Sequence, residues 1–372
     1  MKITEIKLIE LRCALAEPVR NSFGQRTERR HLFVEILTDK GISGIGETWT
    51  NFPVWAVDER KITLRHLRDI FIGKDPLNRN SIWEEIDRKI LKAELIQYGA
   101  KGPVYQALSG VDIALWDILG KAYGVPVYQL LGGAVRGSVE AYASGISAGD
   151  CKRRVPECLG RGFRAFKVKI GFGEESDGNA LRAVRADIGQ FKLYADANQK
   201  WKNAKEAATQ MRALSEFGVG FFEEPVGAAQ IEDYRALSEA GIAPVAAGEN
   251  LYSRREFLHF LNGGLLDVVQ PDATKCGGIT EAWAVCEDAK LYGVKTALHM
   301  FGTAIGLAAS LQIMFASSQA HSMEYDVLDN VMMTHLPAKT FYSLENGDFV
   351  VAREMPGIGI ELDGAFLERY GV

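Results

Sequence analysis

Seven ionisable residues recur at nearly even intervals through the middle of this 372-residue chain. They are Lys169, Asp196, Glu223, Glu249, Asp272, His299 and Glu324, separated by 27, 27, 26, 23, 27 and 25 residues. Each stands at or just beyond the end of a short apolar segment that reads as a strand. Asp196, Glu223 and Glu249 would bring three carboxylates to one mouth, and three such groups cannot stay ionised together without a cation. Oxygen-only ligation with room for water and substrate suits Mg2+, and Mn2+ could substitute. The alternative is neutralisation by lysines or arginines in a structural ion network. His299 gains meaning from Asp272 one strand earlier, because a carboxylate beside the ring would fix its tautomer and raise its basicity.

Within Phe166-Lys167-Val168-Lys169-Ile170 two lysines alternate with apolar residues. Side chains alternate faces along a strand, so both ammonium groups would point the same way. Their repulsion and burial would lower the proton affinity of Lys169, with Lys167 as the tuning charge and a contact for a substrate carboxylate. Lys169 and His299 would then flank the carboxylate triad. A substrate carboxylate held there would have its α-carbon between two bases, and loss of the α-proton would give an enediolate. Glu324, if protonated, could donate a hydrogen bond to the developing charge. Asn198, two residues after Asp196, is a candidate substrate contact. So are Phe23 and Arg26 in the polar stretch Asn21-Ser22-Phe23-Gly24-Gln25-Arg26, read as a loop that could cover a ligand. Arg26, Arg29 or Arg30 could meet a second carboxylate of a diacid, or form surface ion pairs. His31, His66, His259, His321 and His335 have no partner at useful spacing and read as structural or surface groups.

Positioning such a ladder takes alternating strands and helices. Strands are expected at Val139–Ala143, Ala165–Lys169, Lys192–Ala195, Gly220–Phe222, Pro244–Ala247, Leu266–Val269, Lys295–Leu298 and Ser322–Tyr325, with amphipathic helical stretches between them. Eight strands in units of similar length, without a dinucleotide glycine fingerprint, predict a parallel barrel whose chemistry lies at the strands' carboxyl ends. Before it, residues 1–50 read as strands Lys2–Cys13, His31–Thr38 and Ser43–Thr48, with a hairpin at Asp39-Lys40-Gly41. Residues 56–123 carry helical spacing. From Phe341 strand-like patterning returns. The division expected is a capping domain over 1–125, a barrel over 126–340 and a segment over 341–372 that rejoins the cap.

Composition excludes several classes. Hydrophobic residues make up 47% and charged residues 24%, and the net charge is −5. That balance argues against nucleic-acid or anionic-membrane partners. The first seven residues alternate like a strand and lack a secretion signal's apolar core, and no window approaches membrane-spanning length. Five scattered cysteines without a Cys-x-x-Cys pair fit reduced thiols in a cytoplasm and do not suggest zinc.

With these motifs in place, the chain resembles the enolase superfamily and, within it, the mandelate racemase subgroup. The resemblance spans nearly the whole sequence, including the segment Ala107 to Asp117, Glu-Glu-Pro at 223–225 and Gly-Glu-Asn at 248–250. It implies a modified TIM barrel, (β/α)7β, with an α+β capping domain. It places the family's Lys-x-Lys at Lys167 and Lys169 with the second as base, the metal ligands at Asp196, Glu223 and Glu249, the His–Asp dyad at His299 and Asp272, and the electrophilic glutamate at Glu324. Muconate-lactonising and dipeptide-epimerase relatives carry a lysine where Asp272 stands, so Lys275 reads as a loop lysine. The resemblance implies a small-molecule carboxylate substrate and a homo-oligomer. The expected reaction is dehydration of an acid sugar to a 2-keto-3-deoxy acid. The alternatives are a racemase or epimerase, a sugar-lactone cycloisomerase using the same pair, and a non-catalytic metal-binding barrel.

Overall fold

The computed structural model describes residues 1–21, 24–53, 55–94 and 99–372, with side chains for all of these except 16–21, 24–26, 93 and 94. The first three strands, β1 (Ile3–Asn21), β2 (Gly24–Thr38) and β3 (Ser43–Thr48), form an antiparallel sheet in that order. Period-2 alternation gives its central strand two apolar allegiances. Leu32, Val34 and Ile36 pack on cap helices through Ala107, Leu108, Val111 and Leu115, whereas Phe33 joins the barrel's core. Where a loop was expected, the β1–β2 ladder runs on, pairing Val19 with Arg26 and Asn21 with Gly24. Its polar residues hid the strand period. Phe23 lies outside the described residues, as does the side chain of Arg26.

The cap helices are Ala56–Phe71, Arg79–Ile86 with a π-helical continuation Asp87–Glu94, and Lys101–Tyr123. The last is buried nearly all round and stops at Gly124 in the left-handed conformation, φ +70°. Gly44 and Gly46 let β3 lie directly on it: a Cβ on either would fall 2.1 and 2.0 Å from the carbonyl oxygens of Ala114 and Gly110. Buried carboxylates fasten the helix outward. Asp117 accepts from the amides of Ile45 (3.0 Å) and Ile358 (2.9 Å), and Asp112 accepts from Trp83 Nε1 (2.7 Å) and the amide of Thr280 (2.9 Å).

The barrel strands are β4 (Ser138–Ile146), β5 (Ala165–Lys169), β6 (Lys192–Asp196), β7 (Val219–Glu223), β8 (Val245–Ala247), β9 (Val268–Val269), β10 (Lys295–Thr296) and β11 (Met323–Asp326). Neighbours pair in parallel from β4 to β10. Closure comes from β11 pairing with β4, and from a bridge between Thr296 and Ala320. Tyr142, Ala165, Tyr194, Phe221, Ala246, Val268 and Ala297 fill the interior as one cluster drawn from successive strands. Helices follow β4 through β10, but after β11 comes only the four-residue turn Val331–Thr334, which makes the architecture (β/α)7β with a cap. The helix Ala304–Ala316 is buried on every side.

The tail serves two places. β13 (Tyr342–Glu345) and β14 (Asp348–Val351) form a hairpin around Asn346 and Gly347, and β14 pairs with the start of β4. β12 (Pro337–Thr340) pairs with β15 (Ile360–Leu362). After the final helix Gly364–Tyr370, Gly371 bridges to Leu11 and the amide of Val372 donates to the carbonyl of Glu10 in the cap. Among the described residues no helix is long and apolar enough to cross a membrane, and the five cysteines are all free and buried.

Candidate active site

Register aligns the ladder. Lys169 pairs with Asp196 across β5 and β6, and Asp196 with Glu223 across β6 and β7, so three chemical groups stand abreast at the strands' ends. Glu249 follows β8 by two residues, beyond Gly248 at φ +142°. A Cβ on that glycine would lie 2.9 Å from the amide of Gln270, so only glycine allows the chain to turn there.

Lys167 is fully enclosed, and its Nζ is shared by three carboxylates. It lies 2.7 and 2.8 Å from the oxygens of Glu223, 2.8 Å from Glu324 and 3.7 Å from Asp196. Burial alone would depress its proton affinity, yet Glu223 and Glu324 hold it well above the ordinary lysine range. Lys169 contacts Asp196. The expectation that Lys169 has a lowered pKa is not met. Burial pulls Lys169 down and Lys167 adds to that, but Asp196, Glu223 and Glu249 together outweigh both and the group sits above its usual value.

Glu324 also departs from expectation. Ser144 Oγ (2.5 Å) and the amide of Met300 (2.9 Å) donate to it. Burial pushes its carboxyl up, but Lys167 and His299 prevail and hold it at about 2, so here it is an ionised acceptor rather than a protonated donor. Glu223 behaves oppositely. Burial and the adjoining Asp196 carry it to about 8 despite Lys167, and Gln270 Nε2 donates to it at 2.7 Å.

His299 Nδ1 lies 2.6 Å from Asp272 and Nε2 lies 2.8 Å from Glu249. With a carboxylate at each nitrogen the ring must carry both protons, and Glu249 and Glu324 hold it well above the usual histidine range against the pull of burial. Asp272 is fixed in turn by the amide and hydroxyl of Thr274, both at 2.7 Å. The amide of Asn198 donates to Asp196 at 2.8 Å, with Asn198 at φ +44°.

Lys275 stands on the loop after β9, as expected, but it is not a solvated one. It is buried, donates to Asn250 Oδ1 at 3.1 Å and lies 4.6 Å from the Trp49 ring centre, whose other neighbour is the His299 ring at 5.5 Å. With its oxygen taken by Lys275, the Asn250 amide turns its nitrogen toward Glu249 (3.2 Å) and Glu224 (2.9 and 3.0 Å). Trp49, Asn250, Gln270 and Ser144 therefore belong to the constellation as well. Only Asn250 and Gln270, neighbours of ladder residues, had a position in the sequence that could have flagged them. Arg29 is likewise no surface group: it is fully buried against Asp326 at 2.7 Å. Arg30 pairs with Glu10 (2.7 Å) and Asp58 (3.3 Å). His31 has a partner that spacing did not disclose, Glu47 at 3.0 Å.

No three Asp, Glu, His or Cys side chains among the described residues converge as a metal site. Each carboxylate of the expected triad is turned onto a cation: Asp196 onto Lys169, Glu223 onto Lys167, Glu249 onto His299. The donor set nonetheless fits a hard divalent ion. It is all oxygen, Asp196 and Glu223 are buried in register, and burial together with the adjoining Asp196 pushes Glu223 up to about 8.

Comparison with known proteins identifies the family of the chain. Residues 3–132 match the family model "Mandelate racemase / muconate lactonizing enzyme, N-terminal domain", and residues 150–366 match "Enolase C-terminal domain-like". D-galactarolactone cycloisomerase of Agrobacterium fabrum is 35% identical over 100% of this chain and 99% of its own. D-galactonate dehydratase of Variovorax paradoxus is 33% identical over 91% of this chain and 90% of its own. A Bradyrhizobium enolase solved with magnesium and mandelic acid superposes with a TM-score of 0.87 at 26% identity, covering 100% of this chain and 98% of that one. The chain belongs to the mandelate racemase/muconate lactonizing enzyme family of the enolase superfamily. It is an enzyme of a lineage that includes sugar-acid dehydratases and cycloisomerases and whose members use Mg2+.

Proposed function

We propose that the protein catalyses β-elimination on an acid sugar, with dehydration to a 2-keto-3-deoxy acid as its reaction. The observation that carries this reading is the His299–Asp272 pair at 2.6 Å, with His299 Nε2 aimed at Glu249 and Lys169 on the other flank at Asp196. Elimination needs a base for the α-proton and an acid for the departing oxygen, and these two groups supply one each.

The substrate carboxylate would lie among Asp196, Glu223 and Glu249, close to Lys167. Asp196, Glu223 and Glu249 would hold Mg2+, which would supply the charge that favours the enediolate, and Lys169 would then lose Asp196 as the partner that holds its proton. Neutral Lys169 would accept the α-proton. His299, oriented by Asp272, would give its Nε2 proton to the β-hydroxyl, which leaves as water. The reverse assignment uses the same atoms. Glu324, fixed by Ser144 and Met300, would hold Lys167 against the substrate carboxylate. Asn198 would contact the substrate beside Asp196; Phe23 and Arg26, whose side chains lie outside the described residues, are proposed as further substrate contacts.

A second reading has its own support. The cycloisomerase relative matches the full length of the chain at 35% identity, and opening a sugar lactone is the same elimination with a ring oxygen as leaving group. Domain boundaries near 125 and 340, and assembly into a homo-oligomer, are proposed with the same reading.

The test is a panel of mono- and diacid sugars and their lactones with Mg2+, scored for keto acid by semicarbazide and for deuterium uptake from D2O. Lys169→Met and His299→Asn should each lower keto-acid formation by about a thousandfold or more. Excess EDTA should abolish it. Full turnover in any of the three conditions would refute the reading.

A further inference from the structure

The loop that follows His299 has its successive backbone groups held by different parts of the molecule. The amide of Met300 donates to Glu324 of the barrel. The carbonyl of Phe301 accepts from Asn51 Nδ2 at 2.7 Å, and the carbonyl of Gly302 accepts from Asn330 Nδ2 at 3.0 Å. The amide (3.1 Å) and hydroxyl (2.7 Å) of Thr303 donate to Glu47, as does the amide of Gly306 at 2.9 Å. Gly302 and Gly306 make room for that carboxylate: a Cβ on either would fall 2.6 or 2.9 Å from its oxygens.

Asn51 and Glu47 belong to the cap, at the end of β3 and just beyond it. Trp49 stands between them, and its ring lies against His299 and beneath Lys275. Its own amide donates at 3.0 Å to the carbonyl of Thr274, the residue that fixes Asp272. A further cap connection runs from Arg29 to Asp326, which also accepts from Asn330, the residue holding Gly302. The loop after Lys169 is anchored differently. The amides of Gly171 (2.8 Å) and Phe172 (3.2 Å) donate to Asp177 on the barrel helix Glu174–Ile188.

We propose that Glu47, Trp49 and Asn51 are positioning residues for the His299–Asp272 pair, so that the cap governs proton transfer on the His299 face of the substrate and the barrel alone governs the Lys169 face. This inference rests on the two-base reading above. It makes the cap a determinant of which epimer is processed, beyond any role in covering the substrate.

The experiment follows α-proton exchange in D2O with Mg2+ on D-galactonate and its C2 epimer D-talonate. His299→Asn and Lys169→Met assign each epimer to a face. Asn51→Ala and Glu47→Gln should lower kcat for the His299-face epimer by about ten- to a hundredfold, with KM and the Lys169-face epimer changed less than about twofold. Equal losses on both epimers, or none on either, would overturn the proposal. Backbone amide exchange read by mass spectrometry gives a second measure that needs no turnover. Both variants should speed exchange over residues 299–306 and leave 165–172 unchanged. Unaltered exchange over 299–306 overturns the proposal even if neither sugar acid reacts. Failure of the wild type to exchange either epimer counts against the functional reading alone.

Discussion

His321 sits at the amino end of the barrel, away from the chemistry, where Tyr194 Oη meets its Nε2 at 3.2 Å. Burial first, and then the charges of Lys295 and Lys192, depress its pKa to about 4. A folded-state value below the unfolded one means that the unfolded chain binds the proton first as pH falls. The stabilisation is whole above the unfolded value of about 6.5 and is lost as pH falls toward 4. His321→Asn should shrink the loss of unfolding free energy between pH 7 and pH 5 by about 1 kcal/mol, allowing for solvent screening of a partly exposed ring. Denaturant titrations at the two pH values check this, and an unchanged loss would refute it. The same residue marks the limit of reading single side chains. Sequence spacing picked out the seven groups of the ladder because six of them end a strand or follow one within three residues, while Glu324 stands inside β11. It missed Lys275 and Trp49, whose importance comes from stacking across two domains, and it misplaced Arg29, whose partner is 297 residues away.

Among the elements, β3 depends most on what it lacks. Gly44 and Gly46 bring its backbone onto the helix Lys101–Tyr123 at a distance no side chain tolerates. Gly46→Ala should therefore cost about 3 kcal/mol, the upper end for overpacking, measured as a fall in the denaturation midpoint. A loss below about 1 kcal/mol would mean that strand and helix can separate cheaply. Strands β4 to β11 were legible from their apolar runs, and their order from the constant length of the units. Their ends were less so: β9 and β10 each keep only two paired residues, although the amides of Gln270 and Ala297 just beyond them still donate to the carbonyls of Ala247 and Val269. The stretch from Asn21 to Arg26 was read as a loop, since its polar sequence shows no period.

At the scale of the molecule, cap and barrel share buried polar ties. Asp112, Asp117, Glu47 and Arg29 each reach from residues of the first 125 into later ones. Leaving such groups unpaired in a separated cap would cost several kcal/mol. Calorimetry of the whole chain should accordingly give one unfolding transition rather than two. Two resolved transitions would mean that these ties hold little. The change of pattern along the chain suggested the division into cap, barrel and tail proposed above. The crossing contacts were not legible, because a buried acid and its partner amide leave no mark at sequence distances above a hundred residues.

Strand β3 lies between two helices, Lys101–Tyr123 on one side and Ala304–Ala316 on the other, the latter tied to Glu47. During synthesis the first partner emerges soon after the strand. The second follows roughly two hundred residues later, a wait of about ten to forty seconds at ordinary elongation rates. For that interval Glu47 has His31 of β2 as its partner but lacks the amides of Thr303 and Gly306. The order of synthesis thus separates the two faces of β3, and residues 304–316 complete a surface begun by residues 43–48.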